Sequence, residues 1–116
     1  MTRYRQRLGA SGEGAAAAWY EARGYEVLAR NWRCREGELD LVLGGSGRLV
    51  VFCEVKTRSS DAFGAPVEAV TRAKQLRVRR LAARWLAEQG PARGGPVRFD
   101  VASVLAGEVE VVEGAF

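Results

Sequence analysis

The sequence predicts an α/β protein: a mixed β-sheet with helices on both faces, its elements ordered α-β-β-β-α-β-β. Three observations carry this. The run Leu49-Val50-Val51-Phe52-Cys53 is apolar at every position, as a central strand covered on two sides requires. Val78, Leu81, Ala82, Trp85 and Leu86 recur at helical spacing further along the chain. No internal repeat or long linker divides the 116 residues, so a single domain over 1–116 is expected.

The first helix is expected from Leu8 to Arg23. Ala15 to Ala18 are strong helix formers, and Trp19 with Ala15, Ala16 and Ala22 makes an apolar stripe. Gly24 is placed to end it in the left-handed conformation. Gly12 and Gly14 weaken its start and permit close backbone approach. Strands are expected over Tyr25 to Arg33, Glu38 to Leu43 and Leu49 to Lys56. The Gly44-Gly45-Ser46-Gly47 run marks a hairpin between the last two. Ser59 to Pro66 reads as a loop. A long helix then runs from Pro66 or Val67 to Gln89, stopped by Gly90-Pro91. Val97 to Leu105 and Val109 to Val112 read as the final strands, turning at Ala106-Gly107.

Composition narrows the chemistry. The chain has no histidine, which excludes a Ser-His-Asp triad, a Cys-His dyad and any imidazole metal site. Carboxylates, lysine, hydroxyls and a hard cation bound through oxygen remain. The net charge is +4, and the basic residues are 16 Arg and 2 Lys. Arginine suits a polyanion, but a GC-rich coding bias accounts for the same excess. Two cysteines are too few for a disulfide scaffold or a four-cysteine metal site. Residues 2–7 are polar and have no apolar segment behind them, and no run approaches a membrane span. The expectation is a cytoplasmic protein with reduced thiols and no membrane partner.

Two acidic positions do not fit a solvated surface. Asp40 interrupts Leu39-Asp40-Leu41-Val42-Leu43, and Glu54 and Lys56 interrupt the run from Val50 to Lys56. A charge inside an apolar strand is costly unless it is paired or bound to a metal. Strand alternation puts Glu54 and Lys56 on one face, about 6–7 Å apart. If the hairpin pairs residues whose numbers add to an even value, Asp40 stands beside Phe52 or Glu54. An odd value gives another alignment, and the pattern leaves both open. In the even case two carboxylates and an ammonium converge, and a divalent cation resolves the repulsion between the acids. Buried ion pairing with no catalysis accounts for the same strand pattern.

The spacing Asp-x13-Glu-x-Lys resembles the PD-(D/E)xK nuclease pattern. The resemblance extends through Gly9-x-x-Gly12-Glu13-x-x-Ala16, Asn31-Trp32-Arg33, Gly37-Glu38-Leu39-Asp40-Leu41-Val42, Val51-Phe52-Cys53-Glu54-Val55-Lys56-Thr57-Arg58 and Arg98-Phe99-Asp100-Val101. Together these resemble a widespread bacterial family of small proteins without a settled function. That family is similar to Holliday-junction resolvases and to the restriction-endonuclease-like fold. The resemblance implies that Asp40, Glu54, the Val55 carbonyl and Glu13 ligate Mg2+ or Mn2+, and that Lys56 serves the attacking water. Leu39 stands where the motif name has proline. Glu38 reads as an arginine partner and Asp100 as structural. For Glu13, a solvated carboxylate at a helix start is the competing account.

Arg58, Lys74 and Gln75 are the candidate nucleic-acid contacts, with the loop from Ser59 to Gly64 beside them. A solvated arginine-rich face also explains the basic helix. The leading expectation is a Mg2+-dependent endonuclease acting on DNA, including branched or structured DNA, with a homodimer as the form resolvases use and no small-molecule cofactor. The alternatives are a nucleic-acid-binding module without catalysis and a structural partner in a larger complex.

Overall fold

The computed structural model describes residues 2–58, 70–89 and 94–116, with side chains from residue 12 onward. The order is α1 (Thr2–Glu21), β1 (Glu26–Cys34), β2 (Gly37–Gly44), β3 (Val50–Arg58), α2 (Arg72–Gln89), β4 (Val97–Leu105) and β5 (Glu108–Val112), with a short 3-10 turn at Ser46–Arg48. The expected sequence of elements is therefore the observed one.

The five strands form one sheet in the order β1-β2-β3-β4-β5. Only β3 and β4 run parallel; the other neighbours are antiparallel. The apolar run of β3 is thus the middle strand, and Val50 to Glu54 are all buried. Its alternate residues feed two cores. Val50 and Phe52 pack with Leu39, Val42, Val78, Leu81, Ala82, Trp85 and Phe99 under α2. Val51 and Cys53 pack with Ala16, Ala17, Tyr20, Leu41, Leu43 and Ala102 under α1. Phe52 sits edge-on to Trp85 at 5.8 Å and stacks on Phe99 at 5.6 Å, so ring contacts hold the α2 side.

Three expectations need correction. Helix α1 begins at Thr2 and not at Leu8, so Gly9, Gly12 and Gly14 lie inside it. Gly12 has a packing reason: a Cβ there would overlap the Thr57 hydroxyl, so glycine lets α1 approach β3. The buried stripe of α1 is Ala16, Ala17 and Tyr20, whereas Trp19 and Ala15 are half-buried and Ala22 is exposed. The Tyr20 hydroxyl donates to buried Asp100 at 2.7 Å, a contact that fixes which side of α1 faces the sheet. Helix α2 begins at Arg72, after Thr71, whose hydroxyl accepts the Lys74 N–H at 3.2 Å. That cap competes successfully with an earlier start. The expected positions 66–69, the loop from Ser59 and the Gly90-Pro91 stop lie outside the described residues.

The turns follow their residues. Gly24 adopts φ +88° and the Tyr25 N–H reaches back to the Tyr20 carbonyl at 3.1 Å, a Schellman-type end to α1. Ala106 and Gly107 are both left-handed, as a two-residue hairpin between twisted strands requires.

Candidate functional site

The β2–β3 pairing answers the open question of register. Leu41 pairs with Cys53, Val42 with Phe52, Leu43 with Val51 and Gly44 with Val50, so every pair adds to an even number. Continued past Leu41, this register sets Asp40 opposite Glu54 and Leu39 opposite Val55. The ladder does not continue. The Val55 N–H donates instead to Asp40 Oδ2 at 2.9 Å. A carboxylate has replaced the backbone carbonyl that a regular ladder would supply. A strand residue turns its N–H and C=O toward the same neighbour, so the Val55 carbonyl opens on that gap as well.

The same point is a twist in β2. Leu39 belongs to the α2-side core and Leu41 to the α1-side core, although residues two apart in a regular strand share a face. On the facing strand β1, Asn31 is left-handed with φ +50°, a conformation asparagine tolerates better than most residues. The distortion thus falls beside Asp40, where the sheet opens.

Helix α1 brings Glu13 to this opening. Glu13, Ala16, Ala17 and Tyr20 follow helical spacing, so the carboxylate continues the buried stripe and sits mid-helix. It is not the solvated helix-start acid that the dipole argument offered. One carboxylate oxygen from each of Glu13, Glu38 and Asp40 lies within 4.8 Å of the other two. The Asn31 side chain lies beside Glu13 and favours its charged form. Glu38 also pairs with Arg33 at 3.1 Å, so its expected arginine partner is present.

Glu54 borders the cluster from β3 and is 2% exposed. Its Oε1 is 3.3 Å from the Lys74 ammonium, while its Oε2 is buried without a hydrogen-bond partner among the described residues. Lys56 and Lys74 lie close enough for each to shift the other's pKa. The adjacent Lys74 ammonium, then burial, lowers the pKa of Lys56 from the ordinary lysine value. Burial opposes the charge on Lys74, but the neighbouring Lys56, the Glu54 ion pair and the Asp40 charge outweigh it and raise its pKa.

The acids are pushed the other way. Burial raises the pKa of Glu54, with the Asp40 charge adding to it. Burial likewise raises Asp40 and Glu13, against the Val55 N–H bond and the neighbouring Asn31 side chain respectively. The residues fit a hard cation: three carboxylates converge, burial raises the pKa of the acids, and the Glu54 Oε2 beside them is buried without a partner among the described residues.

Residues 12–104 match the family described as Uncharacterised protein family UPF0102. The chain belongs to this family. A UPF0102 protein of Beutenbergia cavernae is 59% identical over 103 residues, covering 89% of this chain and 86% of that protein. One from Mycolicibacterium vanbaalenii is 51% identical, with 97% of this chain and 91% of that protein covered. One from Moorella thermoacetica is 50% identical over the whole of both.

Within this UPF0102 chain the remaining candidates separate. Arg58 ends β3, two residues beyond Lys56 on the same strand face, and is half-buried. Lys74 is drawn into the carboxylate site. Gln75 donates its side-chain amide to the Val70 carbonyl at 3.1 Å, which bonds it to the backbone just before α2. The loop from Ser59 to Gly64 is outside the described residues. Asp100 is structural, as expected: it accepts from Tyr20, from Arg98 and from the Gly114 N–H. No helix among the described residues is long and apolar enough to cross a membrane.

Asn31 and the Glu54–Lys74 contact escaped the reading of the sequence. Asn31 left no strand-pattern signal, because its role rests on a backbone irregularity. Lys74 did leave one: only two lysines stand among the basic residues of this UPF0102 chain, and both are here.

The raised pKa of Glu54 has a consequence for stability. A carboxyl raised on folding contributes its stabilisation in full below the ordinary glutamate value of 4.5, and loses it as pH rises through the folded value. Glu54→Gln, which cannot ionise, is therefore expected to gain stability over the wild type as pH rises from 5 to 8 without divalent ions. Urea unfolding at several pH values measures this; a gap independent of pH would contradict it.

Proposed function

We propose that this protein is a metal-dependent nuclease of the restriction-endonuclease-like class that hydrolyses phosphodiester bonds in DNA. The observation that carries the reading is the junction where β2 leaves β3. There Asp40 accepts the Val55 N–H, Glu13 and Glu38 each bring a carboxylate oxygen within 4.8 Å of it, and Glu54 follows Cys53 on β3. Asp40, Glu54, Glu13 and the Val55 carbonyl would hold Mg2+ or Mn2+. Glu38 is near enough to join them. The bound ion would neutralise phosphate charge and make a bound water more acidic.

The chain's own groups supply the rest. Lys56, its pKa lowered, takes a proton from the attacking water at Nζ. The water oxygen bonds to phosphorus, one P–O ester bond breaks, and the leaving oxygen takes a proton from solvent water. Arg58 would hold a neighbouring phosphate, which positions the DNA without reading its sequence. The exposed arginines of α2, such as Arg72 and Arg80, extend a positive surface along that helix.

The test is cleavage of a four-way junction, a duplex and a single strand of DNA, each with Mg2+, with Mn2+ and with chelator. Metal-dependent nicking of any of the three supports the reading. Salt-sensitive DNA binding that needs no metal, with no cleavage, would replace it with a non-catalytic binding module.

A further inference from the structure

Resting on the cation reading above, the starting point is an asymmetry at Glu54. Its two oxygens have different surroundings: Oε1 faces the Lys74 ammonium at 3.3 Å, and Oε2 is buried with no hydrogen-bond partner among the described residues. The lysine is not placed by chance of rotamer alone. Its backbone N–H is capped by the Thr71 hydroxyl in the first turn of α2, and its side chain is two-thirds covered between Glu54 and Lys56.

We propose that Lys74 is a positioning residue that sets cation preference. By occupying Oε1 it leaves Glu54 a single oxygen for an ion, which favours small octahedral Mg2+ or Mn2+ over Ca2+. Calcium accepts more oxygens at longer, more flexible distances and commonly takes both oxygens of one carboxylate, whereas magnesium demands near-ideal octahedral geometry. A partner that fixes the orientation of a ligand tunes the metal without touching it.

This also gives a reason for lysine at this position. The chain uses arginine for 16 of its 18 basic residues. An arginine at position 74 would offer a planar fork, and a fork engages both oxygens of a carboxylate. It would close Oε2 along with Oε1. Lysine presents one point of charge and leaves the second oxygen open.

The experiment measures binding of Mg2+ and of Ca2+, each alone, to the full chain by calorimetry, in wild type, Lys74→Gln and Lys74→Arg. Thermal melts check that each variant folds. Wild type is expected to prefer Mg2+. In Lys74→Gln the ratio of Mg2+ to Ca2+ affinity should shift toward Ca2+ by about tenfold. Lys74→Arg should bind both ions about 10–100-fold more weakly. A purely structural lysine would lower the melting temperature and leave the ratio unchanged; that result in Lys74→Gln, with Mg2+ still bound, overturns this inference alone. Wild-type affinity in Lys74→Arg also overturns it. If wild-type protein binds neither ion, the cation reading falls and this inference falls with it.

Discussion

Replacing Asp40 with asparagine is expected to weaken Mn2+ binding at least about 100-fold, more than the loss of a supporting residue costs. Metal-dependent cleavage should fall by about a thousandfold, since the cation contributes several kcal/mol to the transition state. The substitution is chosen for what it preserves. Asparagine has nearly the same shape, and its amide oxygen can still accept the Val55 N–H that Asp40 Oδ2 now takes at 2.9 Å. The strand junction should therefore hold while the charge is lost. Unchanged Mn2+ affinity in Asp40→Asn, measured by electron paramagnetic resonance, would remove Asp40 from the site.

The second large effect concerns stability. Asp100 is completely buried and accepts four hydrogen bonds: the Tyr20 hydroxyl at 2.7 Å, Arg98 Nε and Nη2 at 2.8 and 2.9 Å, and the Gly114 N–H at 3.0 Å. These tie α1, β4 and the segment after β5 to one carboxylate. Arg98 also donates to the Tyr25 hydroxyl at 3.1 Å, so the bond network reaches the start of β1. Asp100→Ala strands a buried phenol and a half-buried guanidinium together, and breaking such a pair costs about 3–5 kcal/mol. Tyr20→Phe, which removes one donor and leaves the pair, should cost about 1 kcal/mol. Urea midpoints for the two variants measure the difference. Equal losses would mean that the Arg98 pair contributes nothing beyond the phenol contact.

Much of the fold was legible because packing writes itself into periodicity. Phe52 and Val51 occupy adjacent positions in a run with no polar residue, and only a strand covered on both sides accommodates that. Val78, Leu81, Ala82 and Trp85 mark the buried face of α2 by spacing alone. Boundaries were less legible. Thr71 looks like any loop threonine until its hydroxyl is seen to cap α2. The stripe of α1 was misplaced by one face because four consecutive alanines offer several equivalent stripes, and the choice rests on Tyr20 reaching an aspartate 80 residues away.

The candidate site was legible in its acids and less so in its arrangement. Asp40, Glu54 and Lys56 stood out as charges where apolar residues belong. Their convergence depended on a register that alternation cannot choose, and the twist between Leu39 and Leu41 has no counterpart in residue type. Asn31 owes its place to a left-handed backbone, and Lys74 owes its place to the direction in which α2 crosses the sheet. Such facts arise from three-dimensional closure, which no local pattern records.

One consequence follows from the two cores that share β3. Glu54 and Lys56 have the parity of Val50 and Phe52, while Val51 and Cys53 have the other. Inserting or deleting a single residue between Phe52 and Glu54 would send the two charged groups toward α1, away from Lys74. The chemistry travels as a passenger on a packing decision: while Phe52 faces Trp85, Glu54 is obliged to face Lys74.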